Sequence, residues 1–286
     1  MNNYLEITNL SRSFPGFRLG DISFSLPKGY IMGLIGANGS GKTTTIKLIL
    51  NMIKRESGQI KILGLDNIEN EKKAKAQLGV VFDSNYFCDD WTVSQTEKTI
   101  SVFYENWDTG KFSSLIKRFD IDPKKKVKEL SKGMQMKLML ACSFSYDAKL
   151  LILDEPTSGL DPVSRDELLD ILLEYIEDGE HSVLFSTHIT SDLEKIADYI
   201  TYLNHGNLFF SGNKDEFIDM FRIVKGGQGE VPTDLTKKLL SVRNYSAGFE
   251  ALIKTEDSAL FSAFDIEPAT INDIVVFTNR KGGHHE

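Results

Sequence analysis

Short apolar runs alternate with helical repeats along most of this chain. The runs have the length and aliphatic content of strands, and stretches with apolar residues at helical spacing separate several of them. Strand-like runs lie at Tyr4–Ile7, Ile22–Leu26, Tyr30–Ile35, Gln59–Ile62, Gly79–Phe82, Leu150–Leu153, Ser182–Ser186 and Tyr199–Leu203. This alternation predicts an α/β protein.

The pattern changes between about residues 93 and 147, where no clear strand-like run is found. Apolar residues recur there at helical spacing, through Val93–Trp107, Lys111–Phe119 and Lys132–Ser143. A helical subdomain covering about residues 84–147 is therefore expected between two strands of the α/β body.

A second change follows the strand at Tyr199–Leu203. The letters NHGN (204–207) predict a tight turn into another strand, and KGGQGEVP (225–232) has the composition of a linker. We therefore predict a main domain of residues 1–220 and a small α+β region of residues 221–286 that ends in a polar tail.

Composition narrows the classes of function. The 286 residues carry 33 Lys and Arg against 41 Asp and Glu, a net charge of −8, which argues against a nucleic-acid partner. The two cysteines, Cys88 and Cys142, form neither a disulfide framework nor a metal cluster, as expected of reduced thiols in the cytoplasm. No apolar run approaches the roughly 18 residues of a membrane helix, so any membrane role is expected to depend on a partner.

A glycine-rich loop follows the strand-like run Tyr30–Ile35. Residues 36–43, GANGSGKT, match the pattern GxxxxGK[ST], and a helical stretch follows them. In such a loop consecutive N–H groups face one anion, the lysine reaches the β- and γ-phosphates, and the hydroxyl completes a Mg²⁺ shell. A glycine-rich turn that binds nothing is the alternative, and the strand–loop–helix context disfavours it. The expected nucleotide contacts are Gly36, Ala37, Asn38, Gly39, Ser40, Gly41, Lys42, Thr43 and Thr44.

Two acidic residues follow another buried strand. In LLILDE (150–155) the aliphatic run delivers Asp154 and Glu155 to the carboxyl edge of a sheet, where ligands of α/β proteins bind. Asp154 is suited to hold Mg²⁺, and Glu155 to orient or deprotonate an attacking water. Because a complete phosphate loop precedes these residues in the sequence, a functional role for the two acids is favoured over their being an ordinary strand end.

Three further segments complete an ordered set of motifs. They are LSKGM (130–134), PTSGLDP (156–162) and STH (186–188). In this order the set resembles the nucleotide-binding subunit of ATP-binding cassette (ABC) transporters over about residues 1–220. The lysine in LSKGM is similar to the ABC-2 type exporter branch. The resemblance implies a P-loop ABC-ATPase fold with an antiparallel β-subdomain and a helical subdomain.

The resemblance also implies the partners and the roles of single residues. Two such subunits would hold two ATP molecules between them, with Ser131 and Gly133 of one chain touching the γ-phosphate bound to the other. Glu155 would be the general base, His188 would contact the γ-phosphate, and Asp161 would couple the two sites. Membrane-spanning permease subunits would hold the chain at the cytoplasmic face of the cell membrane.

An aromatic side chain upstream is expected to stack on adenine. Phe14 lies where the resemblance places this residue, and Phe17 is a competing candidate because the spacing tolerates small shifts. Stacking on either ring would hold the base without strict readout, since every base has a π-face.

The chain departs from the family pattern beside the predicted metal. After Gly79–Phe82 the family has a glutamine that touches Mg²⁺ and the attacking water, and here Asp83 takes that place. Aspartate is shorter and charged, so it is expected to reach Mg²⁺ with different geometry. We predict active but slow hydrolysis.

The segment after Phe82 is unusually aromatic. The resemblance implies that coupling helices of the permease dock here. For Tyr86, Phe87 and Trp91 an exposed docking patch and a buried subdomain core fit the sequence equally well, whereas Phe103 is expected in the core. The function predicted from the whole sequence is an ATPase subunit that powers a transporter, most similar to exporters. The alternative is an ABC-type ATPase acting on ribosomes or nucleic acid.

Overall fold

The computed structural model describes residues 2–231 and 235–279. The strands are β1 (Asn3–Phe14), β2 (Phe17–Pro27), β3 (Ile31–Ile35), β4 (Ser57–Ile62), β5 (Leu65–Asp66), β6 (Leu78–Val81), β7 (Leu150–Asp154), β8 (Ser182–Thr187), β9 (Tyr199–Asn204), β10 (Asn207–Asn213), β11 (Phe221–Gly227), β12 (Ser241–Asn244), β13 (Gly248–Lys254) and β14 (Asp265–Pro268). The α-helices are α1 (Lys42–Ile49), α2 (Glu71–Lys75), α3 (Val93–Ser101), α4 (Thr109–Arg118), α5 (Lys132–Ser145), α6 (Pro162–Ile176), α7 (Thr190–Ile196), α8 (Lys214–Asp219) and α9 (Ile271–Asn279).

A mixed sheet in the order β10-β9-β3-β8-β7-β6 forms the centre of the fold. Its five strands from β9 to β6 are parallel, and β10 joins the edge antiparallel to β9. Every residue of β3, β7 and β8 is buried, as expected of parallel strands covered on both faces. Because these strands are parallel, their carboxyl ends lie at one edge of the sheet. The predicted site residues follow the strands at that edge.

The two faces of this sheet belong to two apolar clusters. Alternate residues such as Leu34 and Ile152 pack with α1 and the antiparallel sheet β2-β1-β4-β5. Their neighbours Ile35 and Leu153 pack with α5, α6 and α7 on the other face. The period-two alternation of a strand thus distributes one run of aliphatic residues between two cores.

Helices α3, α4 and α5 make up the predicted helical segment, with one correction. Helical spacing was expected to continue through Val93–Trp107, but α3 ends at Ser101. Asp108 caps the next helix by accepting the N–H of Lys111, so the chain must leave its helical path before that residue. Trp107 therefore lies in the connection, where its ring packs on Phe112.

The predicted linker at 225–232 is wrong in its first part. Residues 225–227 belong to β11, a central strand of the third sheet, which has the order β12-β13-β11-β14. A Cβ on Gly226 would stand 2.4 Å from the Phe249 ring, so this glycine allows close packing rather than a flexible connection.

Beyond this sheet, α9 packs against α7 and the strands β12 and β13. The division of the chain near residue 220 stays a prediction, and the predicted tail after Arg280 lies outside the described residues. None of the helices in the described part of the chain is long and apolar enough to cross a membrane.

Candidate nucleotide site

The glycine-rich loop connects β3 to α1 at the carboxyl edge of the central sheet. Gly41 is the residue before α1, and its φ of 111° is a conformation that glycine tolerates and other residues rarely adopt. A Cβ at Gly36 would stand 2.4 Å from the carbonyl oxygen of Leu203. The loop therefore needs glycine at its entry for space and at its exit for backbone conformation.

Lys42 lies inside the curve of this loop. Its Nζ donates a hydrogen bond of 2.8 Å to the carbonyl oxygen of Gly36, and the side chain is 6% exposed. The ammonium group is thus held beside the loop backbone, at the N-terminus of α1, where the helix dipole also favours an anion.

Asp154, at the end of β7, lies between two hydroxyl groups. Its Oδ1 accepts a hydrogen bond of 2.6 Å from Ser186 and one of 3.4 Å from Thr43. Residue-by-residue pairing of β7 with β8 places Ser186 opposite Asp154. Ser186 was not predicted as a site residue. Its position in the motif STH, two residues before His188, was the sequence feature that could have identified it.

Glu155 connects the lysine to the histidine. Its Oε1 lies 3.4 Å from Lys42 Nζ, and its Oε2 lies 2.7 Å from Nδ1 of His188. The backbone N–H of Glu155 donates to the carbonyl oxygen of Ser186, and its φ of 52° turns the chain sharply at the strand end. One carboxylate is therefore positioned by two cationic or hydrogen-bonding side chains from separate elements.

These residues surround one cavity of about 580 Å³. Its walls consist of Phe17, Asn38, Gly39, Ser40, Gly41, Lys42, Thr43, Thr44, Asp83, Glu155, Ser158 and His188. Most of the predicted site residues are therefore brought together, Asp83 among them. Gly36, Ala37 and Asp154 lie next to the cavity through the contacts of Lys42 and Thr43. Ser158 was not predicted as a site residue, and its place in the motif PTSGLDP was the sequence feature that could have identified it.

Of the two candidate aromatic residues, Phe17 is the one in the cavity wall. A Cβ added at Gly41 or at Gly206 would stand 3.2 Å from its ring, so Phe17 sits between the loop and the turn after β9. The ring of Phe14 is 6.4 Å from that of Phe17 and is covered by the guanidinium of Arg12. The role of Phe14 in stacking stays a prediction, and the position of Phe17 favours the competing candidate.

The segment Leu130–Met134 lies apart from this cavity. Ser131 caps α5 by accepting the N–H of Met134, and Gly133 packs so closely on Ser164 that a Cβ would stand 3.1 Å from its Oγ. Asp161 caps α6, and the hydrogen bonds from Ser164 hold the pKa of its carboxyl below the ordinary value. Ser131 and Gly133 are therefore not brought to the phosphate loop of their own chain.

A second, more apolar groove lies between β6 and the helical segment. It has a volume of about 300 Å³ and is formed by Leu50, Met52, Lys75, Leu78, Val80, Phe82, Tyr86, Tyr104 and Tyr146. Tyr86 is 50% exposed, but Phe87 is buried. The expectation for Phe103 was wrong, because its side chain is 75% exposed where the chain leaves α3.

No group of three or more His, Cys, Asp or Glu residues in the described ranges could hold a metal ion by itself. The oxygen atoms of Thr43 and Asp154 are nevertheless the hard ligands that Mg²⁺ prefers. Mg²⁺ commonly binds through one or two carboxylates together with substrate phosphates rather than in an all-protein cage. The donor set of the cavity fits that mode.

Comparison with known proteins agrees with this geometry. Residues 19–158 match the family described as ABC transporter. The ABC transporter ATP-binding protein YtrB of Bacillus subtilis is 33% identical over 207 residues, which cover 71% of this chain and 70% of that protein. The bacitracin transport ATP-binding protein BcrA of Bacillus licheniformis is 30% identical over 213 residues, which cover 73% and 69%.

Solved structures show the same fold. The ATP-binding subunit of an ABC transporter superposes with a TM-score of 0.68 at 27% identity, covering 74% of this chain and 91% of that one. The protein cbiO1 of Clostridium perfringens gives a TM-score of 0.67 at 23% identity, covering 76% and 91%. The predicted fold class is thereby confirmed. The chain belongs to the ATP-binding subunits of ABC transporters, ATPases that power transport across a membrane.

Proposed function

We propose that ATP binds in the 580 Å³ cavity with its phosphates along residues 36–44. The main support for this proposal is that Lys42, Glu155 and His188 contact one another in the wall of one cavity, with Glu155 between the other two. Lys42 would exchange its carbonyl and carboxylate contacts for the β- and γ-phosphates, which are stronger anionic partners. Phe17 or Phe14 would stack on the base.

Mg²⁺ would be held by the hydroxyl of Thr43 and the carboxylate of Asp154, with Asp83 at the cavity wall nearby. When bound, the ion neutralises charge on the phosphates and aligns them. Ser186 fixes the orientation of Asp154 through its 2.6 Å hydrogen bond. Asp83 would approach the metal through water, since its side chain is shorter than the glutamine found in the family.

Glu155 would act as the general base that takes a proton from the attacking water. Its side chain is 18% exposed, so water can reach the carboxylate while His188 holds one of its oxygens. His188 would also donate to the γ-phosphate, which places the base and the phosphate on either side of the same imidazole. A positioned base contributes about 10²–10⁴ in rate.

A second copy of this chain, or a close relative, would complete each ATP site. Ser131 is exposed at the N-terminus of α5 and does not line the cavity of its own chain. A helix N-terminus with a hydroxyl cap favours a phosphate group. Ser131 and Gly133 would therefore contact the γ-phosphate bound to the facing subunit.

The transporter partner would be a membrane-spanning permease that docks in the apolar groove. Met52 and Tyr86 expose 56% and 50% of their surface there, a placement that suits an inserted helix better than open solvent. Through this contact the chain would lie at the cytoplasmic face of the membrane. We infer export as the direction, because the Nod factor export ATP-binding protein I of Sinorhizobium fredii is 31% identical to this chain over 224 residues.

Purification in mild detergent tests this assignment. The wild-type chain should retain a membrane protein with several spans, and Met52→Asp should lose it, since a carboxylate would enter the apolar groove. Leu260→Asp, at a side chain 51% exposed and remote in sequence, is the matched control and should retain the partner. Recovery of ribosomes or nucleic acid without a membrane protein would contradict the assignment.

A further inference from the structure

The last helix of the described chain is built into the core of the ATP-binding body. Ile271, Ile274 and Phe277 line one face of α9 and are each no more than 3% exposed. They belong to the same apolar cluster as Tyr202 on β9 and Phe217 on α8. The C-terminal region therefore contacts the body through a packed interface at the edge of the central sheet.

Polar contacts fix the register of α9 on β9. The hydroxyl of Tyr202 lies 2.7 Å from Oγ1 of Thr278 and accepts a 2.7 Å hydrogen bond from the amide of Asn279. Thr278 donates its own proton to the carbonyl oxygen of Ile274, so Tyr202 is the donor to Thr278. Burial raises the pKa of the Tyr202 phenol, which keeps this proton in place.

A second contact lies two residues further along β9. The side-chain amide of Asn204 donates to the carbonyl oxygen of Thr278 over 3.3 Å. Asn204 is the last residue of the strand, and the turn His205–Gly206 follows it directly. The end of α9 is thus attached at the base of the β9–β10 turn.

The same turn supports the phosphate loop. The N–H of Gly206 donates to the carbonyl oxygen of Ser40 over 3.1 Å, and its carbonyl oxygen accepts from Gly20 of β2 over 2.8 Å. A Cβ on Gly206 would stand 3.2 Å from the Phe17 ring. The carbonyl of Leu203, at the end of the same strand, lies directly beside Gly36. One short segment of backbone therefore contacts the loop, the aromatic ring and the strand that carries it.

We propose that α9 positions the β9–β10 turn through Tyr202 and Asn204, so that the C-terminal region sets the ATP affinity of the phosphate loop. Tyr202, Asn204, Thr278 and Asn279 are positioning residues in this proposal, since none of them lines the cavity. The inference rests on the proposed ATP site. It gives the C-terminal region a function beyond packing.

Because α9 acts through the β9–β10 turn in this proposal, we expect a change in ATP binding rather than in the rate of the chemical step. The turn contacts the loop and Phe17, whereas Glu155 and Asp154 are held by β7 and β8. Loosening the turn should therefore weaken the complex with ATP–Mg²⁺ and leave the rate of the bound complex unchanged. Residues between two coupled sites typically alter the coupling by a fewfold to about thirtyfold.

The test uses the full chain with Tyr202→Phe, which removes one hydroxyl and keeps the ring. We expect the Kd for ATP–Mg²⁺ to rise about fivefold, with kcat at saturating ATP within about twofold of wild type. Tyr4→Phe is the matched control, because it also removes a buried hydroxyl, one that donates to Glu180 away from α9. Asn279→Ala should repeat the effect of Tyr202→Phe from the helix side.

A double-mutant cycle with Gly206→Ala makes the test specific to the turn. A Cβ on Gly206 would stand 2.0 Å from the carbonyl oxygen of Arg18, so this variant displaces the turn directly. Tyr202→Phe should then add little to the loss already caused by Gly206→Ala. Fully additive losses, or a fall in kcat at unchanged Kd, would overturn the proposal.

Failure of this inference is separable from failure of the ATP site. If Lys42→Ala abolishes ATP binding while Tyr202→Phe and Tyr4→Phe behave alike, the positioning role of α9 is wrong and the site stands. If Lys42→Ala binds ATP as well as wild type, the proposed site itself is wrong and the inference falls with it.

Discussion

The phosphate loop and the segment Leu130–Met134 both place the start of a helix where an anion could bind, but their surroundings differ. Lys42 at the start of α1 is 6% exposed and lies beside Glu155 in a walled cavity. Ser131 at the start of α5 is exposed, and its hydroxyl caps its own helix by accepting the N–H of Met134. The start of α1 therefore lies in the cavity, with Lys42 and the carboxylate of Glu155 beside it. The start of α5 is not part of the wall of that cavity.

This difference separates two kinds of function within one chain. A helix N-terminus alone attracts an anion weakly, and a buried lysine beside it adds a strong partner. We therefore propose that the α1 region binds ATP by itself and that the α5 region acts only when it meets ATP on another subunit. Replacing Lys42 should consequently weaken ATP binding by the separate subunit, whereas replacing Ser131 should slow hydrolysis and leave that binding unchanged.

The largest effect is expected from Glu155→Gln. The amide cannot accept the proton of water, so turnover should fall by about 10²–10⁴ while ATP stays bound. Glu174→Gln, at an exposed pair with Arg118, is the control. Steady-state hydrolysis and ATP binding measure the two quantities, and unchanged turnover would exclude Glu155 as the base.

Lys42→Ala should act on binding instead. Removal of the ammonium leaves the phosphates without the cation at the loop, and the affinity for ATP should fall by about 10²-fold or more. Lys47→Ala removes a lysine from the exposed side of the same helix and should bind ATP normally. Micromolar affinity in Lys42→Ala, measured by titration calorimetry, would refute this role.

Ser131→Asp sharpens the comparison between the two helix starts. Aspartate caps helices as well as serine does, so α5 should stay intact, but its charge would repel the γ-phosphate of the facing subunit. Hydrolysis should fall about 30-fold with ATP affinity of the separate subunit unchanged. Ser131→Asn keeps the cap without the charge but loses the hydroxyl, so its hydrolysis should lie between that of wild type and that of Ser131→Asp. A loss of ATP affinity in the separate Ser131→Asp subunit would place Ser131 in the site of its own chain.

The smallest effect is expected at Asp83. Asp83→Gln retains an oxygen ligand at the cavity wall, so hydrolysis should stay within about tenfold of wild type. Asp83→Val removes the ligand and should be slower than Asp83→Gln at every Mg²⁺ concentration. An Asp83→Gln variant slower by more than tenfold would contradict the prediction that the wild-type chain, with Asp83 in place of the glutamine, hydrolyses ATP slowly.

The sequence predicted the central sheet and most of the cavity wall because local patterns determine them. Aliphatic runs specify buried strands, and the residues after β3, β6, β7 and β8 must meet at one edge of a parallel sheet. Lys42 and Glu155 were found from such patterns, whereas Asp83 and His188 were named from the resemblance to the ABC transporter family. The transporter prediction was confirmed by the relatives of the chain.

What the sequence did not predict depends on contacts between distant segments. Helical spacing continued past Ser101 in the sequence, but the cap at Asp108 ended it. Gly226 looked like part of a linker and instead packs beneath Phe249. The attachment of α9 to Tyr202 joins residues 76 positions apart, and no local pattern records such a pair.

Mixing two inactive variants tests the central claim most directly, that each ATP site combines the phosphate loop of one chain with Ser131 of another. Copies carrying Lys42→Ala are mixed in equal amounts with copies carrying Ser131→Asp, and hydrolysis is followed. A mixed dimer has one intact site, so the mixture should recover about a quarter of wild-type turnover if copies pair at random. A mixture no more active than its two components would contradict the claim.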